Sequence, residues 1–171
     1  MPAVRPQVFG VRALVATDES GVLRINSDGY PGVARLDATE LRRLCALPNH
    51  HLVVEDSNAL LVGYLLAFAG EAAYDGEEFR QLRLMTSKRY IYIDQVAVAK
   101  QSKGLGVGRA LYGAIEATAR RDGVQALCCE VNTVPPNPES MAFHEAMRFR
   151  RMGSLTTLDG REVELLLKEV T

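Results

Sequence analysis

Three glycines, Gly104, Gly106 and Gly108, stand at alternate positions in "AVAKQSKGLGVGRALY", between an apolar run and a segment of helical spacing. A strand, a turn without side chains and a helix start leave several backbone N–H groups unpaired and converging, where the positive end of the helix dipole adds to their pull on an anion. That is a phosphate cradle. Glycine suits it because a Cβ would block the anion and because some positions require positive φ. A connector without a ligand needs one glycine at most, so three in alternation point to an anion site.

The type of phosphate ligand follows from what is missing. GxxxxGK[ST] does not occur. GxGxxG fails from Gly104, where Arg109 takes the place of the third glycine, and from Gly106, where Leu111 does. Glu130, some twenty residues on, stands where a ribose-binding acid would, so a dinucleotide-binding oxidoreductase stays as an alternative. Against it, that fingerprint usually follows the first strand of a fold, and here about a hundred residues come first.

The elements that must position the glycines alternate in type. "VFGVRALVAT" (Val8–Thr17) reads as a strand and "TDESGVLRINSDG" as a short helix ending at Gly29. "LDATELRRLCALP" has a helix start, with Asp37 as N-cap and Glu40 as the returning partner of a capping box. "HLVVED" and "ALLVGYLLAFA", separated by Ser57-Asn58, form an antiparallel hairpin. Residues 70–88 show no period and read as a mobile loop; their Glu71, Asp75, Glu77 and Glu78 are expected to be solvated. "YIYIDQVAVA" is the strongest strand. The helix after the glycines keeps Leu111, Ile115 and Ala119 on one face and stops at Gly123. "QALCCEVN" is a buried strand, Asn137 caps a helix with Pro138 at its first position, and "FRRMGSLT" and "EVELLLKEV" close the chain as strands.

Length and composition narrow the class. A chain of 171 residues fits one domain, 1–171, and 47% hydrophobic with 24% charged residues is ordinary for a soluble protein. No apolar run is long enough for a membrane span and the first twenty residues carry no secretory pattern, so the expectation is a cytoplasmic protein. A net charge of -1 argues against nucleic acid as the main partner. Cys45, Cys128 and Cys129 fit neither a disulfide framework nor a zinc site, His50 and His51 have no third ligand at metal spacing, and no metal is expected.

"AVAKQSKGLGVGRALY" resembles motif A of the GNAT acetyltransferase superfamily: Gln or Arg, two residues, Gly, one residue, then Gly or Ala, five residues after a strand valine. Matching that valine to Val98 puts Lys103 at the Gln/Arg position, a departure, with Gly106 and Gly108 as the two glycines. Gln101 to Gly106 fits the bare pattern at the wrong distance from Val98. Downstream, Asn137 stands seven residues before His144 in "FHEAMRF", where the family often has a tyrosine. Arg148 takes the place of that stretch's glycine.

The resemblance implies an α/β (α+β) fold: a mixed, mostly antiparallel sheet of about seven strands with about four flanking helices, splayed between strands four and five. It implies acetyl-CoA, with its pyrophosphate on the amides of Lys103, Gly104, Leu105, Gly106, Val107 and Gly108. Its pantetheine arm would run beside Val96, Ala97 and Val98 and meet Asn137, with Asn132 a weaker candidate. The activity implied is transfer of an acetyl group to a primary amine of a small molecule or peptide. An alkylamine of pKa about 10.4 must lose a proton before it attacks. By strand alternation Asp94 shares a face with Val96 and Val98, which makes it the first candidate base. Glu130 at the end of the neighbouring strand is the second, and Tyr92 lines the acceptor pocket. His144, replacing the usual tyrosine, is the candidate acid for the departing thiolate. A CoA-binding module without catalysis is the other reading that the replaced tyrosine allows. The terminal strand "EVELLLKEV" could bury an edge against a second subunit.

Overall fold

The computed structural model describes residues 9–171; Val8, at the start of the first expected strand, lies outside them. Among the described residues one seven-stranded sheet forms, in the order β1-β2-β3-β4-β5-β7-β6. β1 (Gly10–Ala13) is followed by α1 (Glu19–Gly29) and α2 (Ala38–Cys45), then the hairpin β2 (Leu52–Glu55) and β3 (Leu61–Ala69). After α3 (Glu77–Met85) come β4 (Tyr90–Val98), α4 (Val107–Arg121), β5 (Ala126–Val134), α5 (Pro138–Ala146), β6 (Arg150–Thr156) and β7 (Glu162–Glu169).

Every pair is antiparallel except β4 and β5, which run parallel and pair only at Tyr90↔Ala126, Ile91↔Leu127 and Tyr92↔Cys128. Beyond Tyr92 the two strands part, which is the expected splay. Each face of the sheet buries its own core. Val22, Ile25, Leu41, Leu44, Phe79 and Leu82 of α1, α2 and α3 cover Tyr64, Leu66, Phe68 and Tyr92. Leu111, Ile115 and Ala119 of α4 pack with Leu65, Ala67, Ile91 and Ile93 on the other face. Cys128 and Cys129 are buried on opposite faces as small apolar groups with free thiols.

Four readings need correction. Residues 70–88 are not a featureless loop: α3 forms there, giving five helices, with Phe79 and Leu82 three apart on its buried side. The first strand is shorter than Val8–Thr17, because Ala16–Asp18 wind into a 3-10 turn. Asp37 does cap α2, its Oδ1 accepting from the Glu40 N–H at 2.7 Å, but the Glu40 carboxylate pairs with Arg43 and so does not close a capping box. The terminal strand offers no free edge, since β7 lies between β5 and β6.

A fifth difference touches the site. β3 and β4 pair regularly as far as Leu66↔Gln95, then resume at Ala67↔Ile93, so Asp94 is an extra residue bulged out of β4. A slip of one residue exchanges the faces of a strand. Ile93, Val96 and Val98 therefore belong to the α4 face, whereas Asp94 joins Tyr92 on the face of α1, α2 and α3. Asp94 does not share a face with Val96 and Val98, as unbroken alternation would require.

Candidate active site

The glycine segment forms the expected connection. β4 ends at Val98, Lys100–Ser102 make a 3-10 turn, and α4 starts at Val107 with Gly106 as its N-cap. Gly104 and Gly106 are left-handed, at φ +76° and +91°, and a Cβ on either would meet no atom within 4 Å. Side chains are excluded there by backbone strain and not by protein packing, which leaves the space in front of the loop open. The amides of Gly104, Gly106, Val107, Gly108 and Arg109 have no acceptor among the described residues. A cavity of about 720 Å³ lies over them, walled by Val96 to Val98, Lys103, Asn137 and Phe143. Bare amides, two left-handed glycines and a fifteen-residue helix behind them fit a diphosphate group.

A second cavity, of about 610 Å³, opens from the splay on the acidic side. Gly32, Val33, Val96, Asn137, Ser140 and His144 border both cavities. The candidate cofactor residues and the candidate catalytic residues thus meet at one junction.

The floor of the second cavity holds Asp94 and Glu130, which come from the two strands that part. The Tyr74 hydroxyl donates to Asp94 Oδ1 at 2.7 Å. The Tyr92 hydroxyl donates to Glu130 Oε2 at 2.7 Å and lies 3.5 Å from Asp94 Oδ1. Asp94 Oδ2 and Glu130 Oε1 have no hydrogen-bond partner among the described residues. Burial pushes Asp94 up to about 6 despite its tyrosine donors. Burial and the charge of Asp94 raise Glu130 well above the ordinary carboxylate range. Tyr92 is 1% exposed and supports Glu130 from below; it does not line the cavity.

One wall joins three elements. Arg161, just before β7, donates to Asn132 Oδ1 at 3.1 Å and to Glu78 Oε1 at 3.2 Å. Asn132 therefore faces the second cavity and is committed to Arg161. Glu78 is 8% exposed, so the acidic run 71–78 is not wholly solvated.

His144 is 3% exposed. Its Nδ1 lies 2.8 Å from the Ser140 carbonyl, which can only accept, so Nδ1 carries the proton. Nε2 is then a lone pair, and it receives the Tyr112 hydroxyl at 2.6 Å. Burial lowers His144 and holds Tyr112 well above its ordinary value, so the resting pair is neutral on both sides. Asn137 caps α5, its Oδ1 accepting from the Ser140 N–H at 3.1 Å.

Sequence reasoning missed Tyr112, Tyr74 and Arg161, and it placed Glu78 among solvated acids where the structure buries it. Tyr112 reads only as part of the apolar face of a helix, Tyr74 and Glu78 sit in the segment without a period, and Arg161 reaches the site only through the β6–β7 pairing.

Comparison with known proteins decides the family. The model for the acetyltransferase (GNAT) family matches residues 21–149. The chain belongs to that family. No protein of curated function matches the sequence. Among solved structures, the ribosomal-protein-S18-alanine N-acetyltransferase of Escherichia coli is 14% identical with a TM-score of 0.73, covering 96% of this chain and 95% of that one. NAA60 of Arabidopsis thaliana, solved with acetyl-CoA, is 14% identical with a TM-score of 0.74, covering 95% and 99%. The yncA acetyltransferase of Salmonella typhimurium, also solved with acetyl-CoA, is 17% identical with a TM-score of 0.66, covering 95% and 94%. At such identities the likeness is one of fold, and the GNAT fold is what the sequence leads one to expect. Family membership also sets the dinucleotide reading aside.

Proposed function

We propose that this GNAT-family chain is an N-acetyltransferase that moves the acetyl group of acetyl-CoA to a primary amine of a small molecule or peptide, by direct attack with both substrates bound. The observation that carries the proposal is the meeting of two cavities at Val96, Asn137 and His144, one over a bare-amide cradle and one over two carboxylates.

Bound acetyl-CoA supplies an activated acetyl thioester. Of the expected run, the free N–H groups of Gly104, Gly106, Val107 and Gly108 hold its diphosphate, those of Lys103 and Leu105 being turned to the Lys100 and Ser102 carbonyls, and the backbone of Val96, Ala97 and Val98, unpaired toward β5, offers strand-type hydrogen bonds to its amide-bearing arm. The Asn137 side chain, at the border of both cavities, is a further contact for that arm.

Asp94 and Glu130 take the proton that an alkylammonium must lose. Two carboxylates that share tyrosine donors and lie in a poorly hydrated pocket resist carrying two negative charges, so a cation entering between them is favoured and its proton has an acceptor at hand. Asp94, which burial pushes up to about 6 and whose Oδ2 has no hydrogen-bond partner among the described residues, is assigned as base. His144, at the junction, is assigned as the acid side of the exchange, in partnership with Tyr112. Three cysteines kept as free thiols suit a reducing, cytoplasmic setting.

Calorimetry with acetyl-CoA, NAD and NADP, followed by a thiol-release assay over a panel of amines, tests the proposal. Micromolar binding of acetyl-CoA and amine-dependent thiol release are expected. Tight CoA binding with no turnover on any amine would leave a binding module instead, and preference for NAD or NADP would defeat the assignment.

A further inference from the structure

The acceptor cavity is lined by charges of both signs, and Glu40, Glu78 and Asp159 are each paired with an arginine. Its floor presents Asp94 and Glu130, each with one oxygen that has no hydrogen-bond partner among the described residues. At its mouth stands Arg35, on the loop between α1 and α2. Two guanidinium groups line this cavity, and they differ. Arg161 is paired with Glu78 and Asp159. Arg35 is exposed and forms no ion pair or hydrogen bond among the described residues; its guanidinium lies over the Tyr30 ring, whose centroid is 4.0 Å from Cζ.

Exposed arginines are usually flexible, but this one is presented from a fixed backbone. Asn26, 2% exposed, donates from Nδ2 to the Ala34 carbonyl at 2.9 Å, and its Oδ1 accepts from the Leu36 N–H at 2.9 Å. Gln95 donates to the same Ala34 carbonyl at 3.2 Å, and Asn26, Gln95 and the Tyr64 hydroxyl are joined to one another beneath it. The residues on both sides of Arg35 are therefore anchored to a buried polar cluster at the β4 bulge, while its head group rests on an aromatic ring. A buried network of this kind is costly unless complete, and a complete one fixes geometry. What it fixes here is an unpaired cation above an anionic floor.

We propose that the acceptor is a zwitterion, whose primary amine is received by Asp94 and Glu130 and whose oxyanion, a carboxylate or a phosphate, is received by Arg35. This rests on the acceptor-side reading of the cavity given above. The planar guanidinium fork matches either oxyanion through paired N–H donors, and stacking on Tyr30 leaves its edge free to make them.

The test is calorimetric titration of the CoA-loaded protein with matched pairs: 5-aminopentanoate against pentylamine, and 3-aminopropyl phosphate against propylamine. In the wild type the anionic member of at least one pair binds about tenfold more tightly, as expected for a charge-assisted hydrogen bond, and the pair with the larger ratio identifies carboxylate or phosphate. In Arg35→Gln the ratio falls to near one, and Tyr30→Leu, which removes the stacking platform, lowers it part of the way. Equal binding within both pairs in the wild type, or a ratio that survives Arg35→Gln, overturns the proposal. If CoA binds but no amine does, the acceptor reading of the cavity fails and this proposal with it; failure to bind CoA would instead show that the cofactor assignment is wrong.

Discussion

The Tyr112 hydroxyl points at His144 Nε2 from 2.6 Å, while His144 Nδ1 is held at 2.8 Å by the Ser140 carbonyl. Both ring nitrogens are therefore engaged before any ligand arrives. The histidine at the junction is a neutral acceptor at rest, and it becomes an acid only by taking a proton at Nε2 against the pull of burial.

Removing the hydroxyl exposes this arrangement. Tyr112→Phe leaves a buried Nε2 lone pair without a donor, which costs about 1–3 kcal/mol. Nitrogen-15 NMR of the histidine ring is expected to report Nδ1–H with an unprotonated, hydrogen-bonded Nε2 in the wild type, and thermal unfolding to show the loss in the variant. An Nε2–H tautomer in the wild type would refute the pairing.

Two glycines, Gly106 at the start of α4 and Gly113 within it, separate cradle from scaffold. Gly106, at φ +91°, should not accept a side chain. Gly106→Val is expected to cost about 1–2 kcal/mol of stability through backbone strain and to weaken acetyl-CoA binding by far more than that strain alone explains. Gly113 lies exposed inside α4 with no atom within 4 Å of its would-be Cβ, so Gly113→Ala should stabilise by about 0.5–1 kcal/mol with unchanged CoA affinity. Calorimetry and thermal melts of the two variants check both statements.

Asp94 should show a trade between stability and activity. Its folded pKa, about 6, is raised above the ordinary 3.8, so the folded state holds its proton more tightly. Stability from this group is full below the unfolded value and is lost as pH rises through about 6. Asp94→Asn is then expected to raise the melting temperature at pH 8, by an amount corresponding to at most about 3 kcal/mol. The same change should lower kcat about a hundredfold or more if Asp94 is the base. A variant that melts higher and keeps full turnover would remove Asp94 from the base role.

His51 provides the opposite pH dependence. Its Nδ1 accepts the Ala67 N–H at 3.0 Å, its Nε2 is buried without a hydrogen-bond partner among the described residues, and burial pushes it down to about 4. The unfolded chain takes up this proton first, so stability is full above about 6.5 and falls as pH drops from there toward 4. In denaturant melts from pH 7 to 4, where Asp94 acts equally in both proteins, the wild type should lose up to about 3 kcal/mol relative to His51→Phe; equal slopes in the two proteins would contradict it.

Much of this was legible in the sequence because it rests on local rules. The glycine spacing, the Asn137-Pro138 helix start and the aromatic β4 run each encode their own geometry. Other features depend on what comes from far along the chain. α3 has weak local signals, with Gly76 as an N-cap lacking a side-chain bond, and only Phe79 and Leu82 docking on the sheet make it a helix. The bulge at Asp94 leaves no mark in "YIYIDQVAV", because period two persists on either side of it. Tyr112 looks like core until α5 brings His144 to its hydroxyl. Apolar periodicity reports which side of an element is buried, and it carries no information on which hydroxyl meets which base.

The early parting of β4 and β5 has a further consequence. From Ile93 to Val98, apart from the bulged Asp94, β4 is paired with β3 but not with β5, so the middle of the sheet contains an interior edge. Edge strands invite pairing with other chains, and proteins usually shorten, charge or cover them. Here the protection is topological: β5 stands opposite, and the gap narrows to nothing at Tyr92↔Cys128. A sheet of another molecule cannot dock side-on into a closing wedge. A single thin, amide-bearing strand can, so the device that admits a ligand also keeps the sheet from growing.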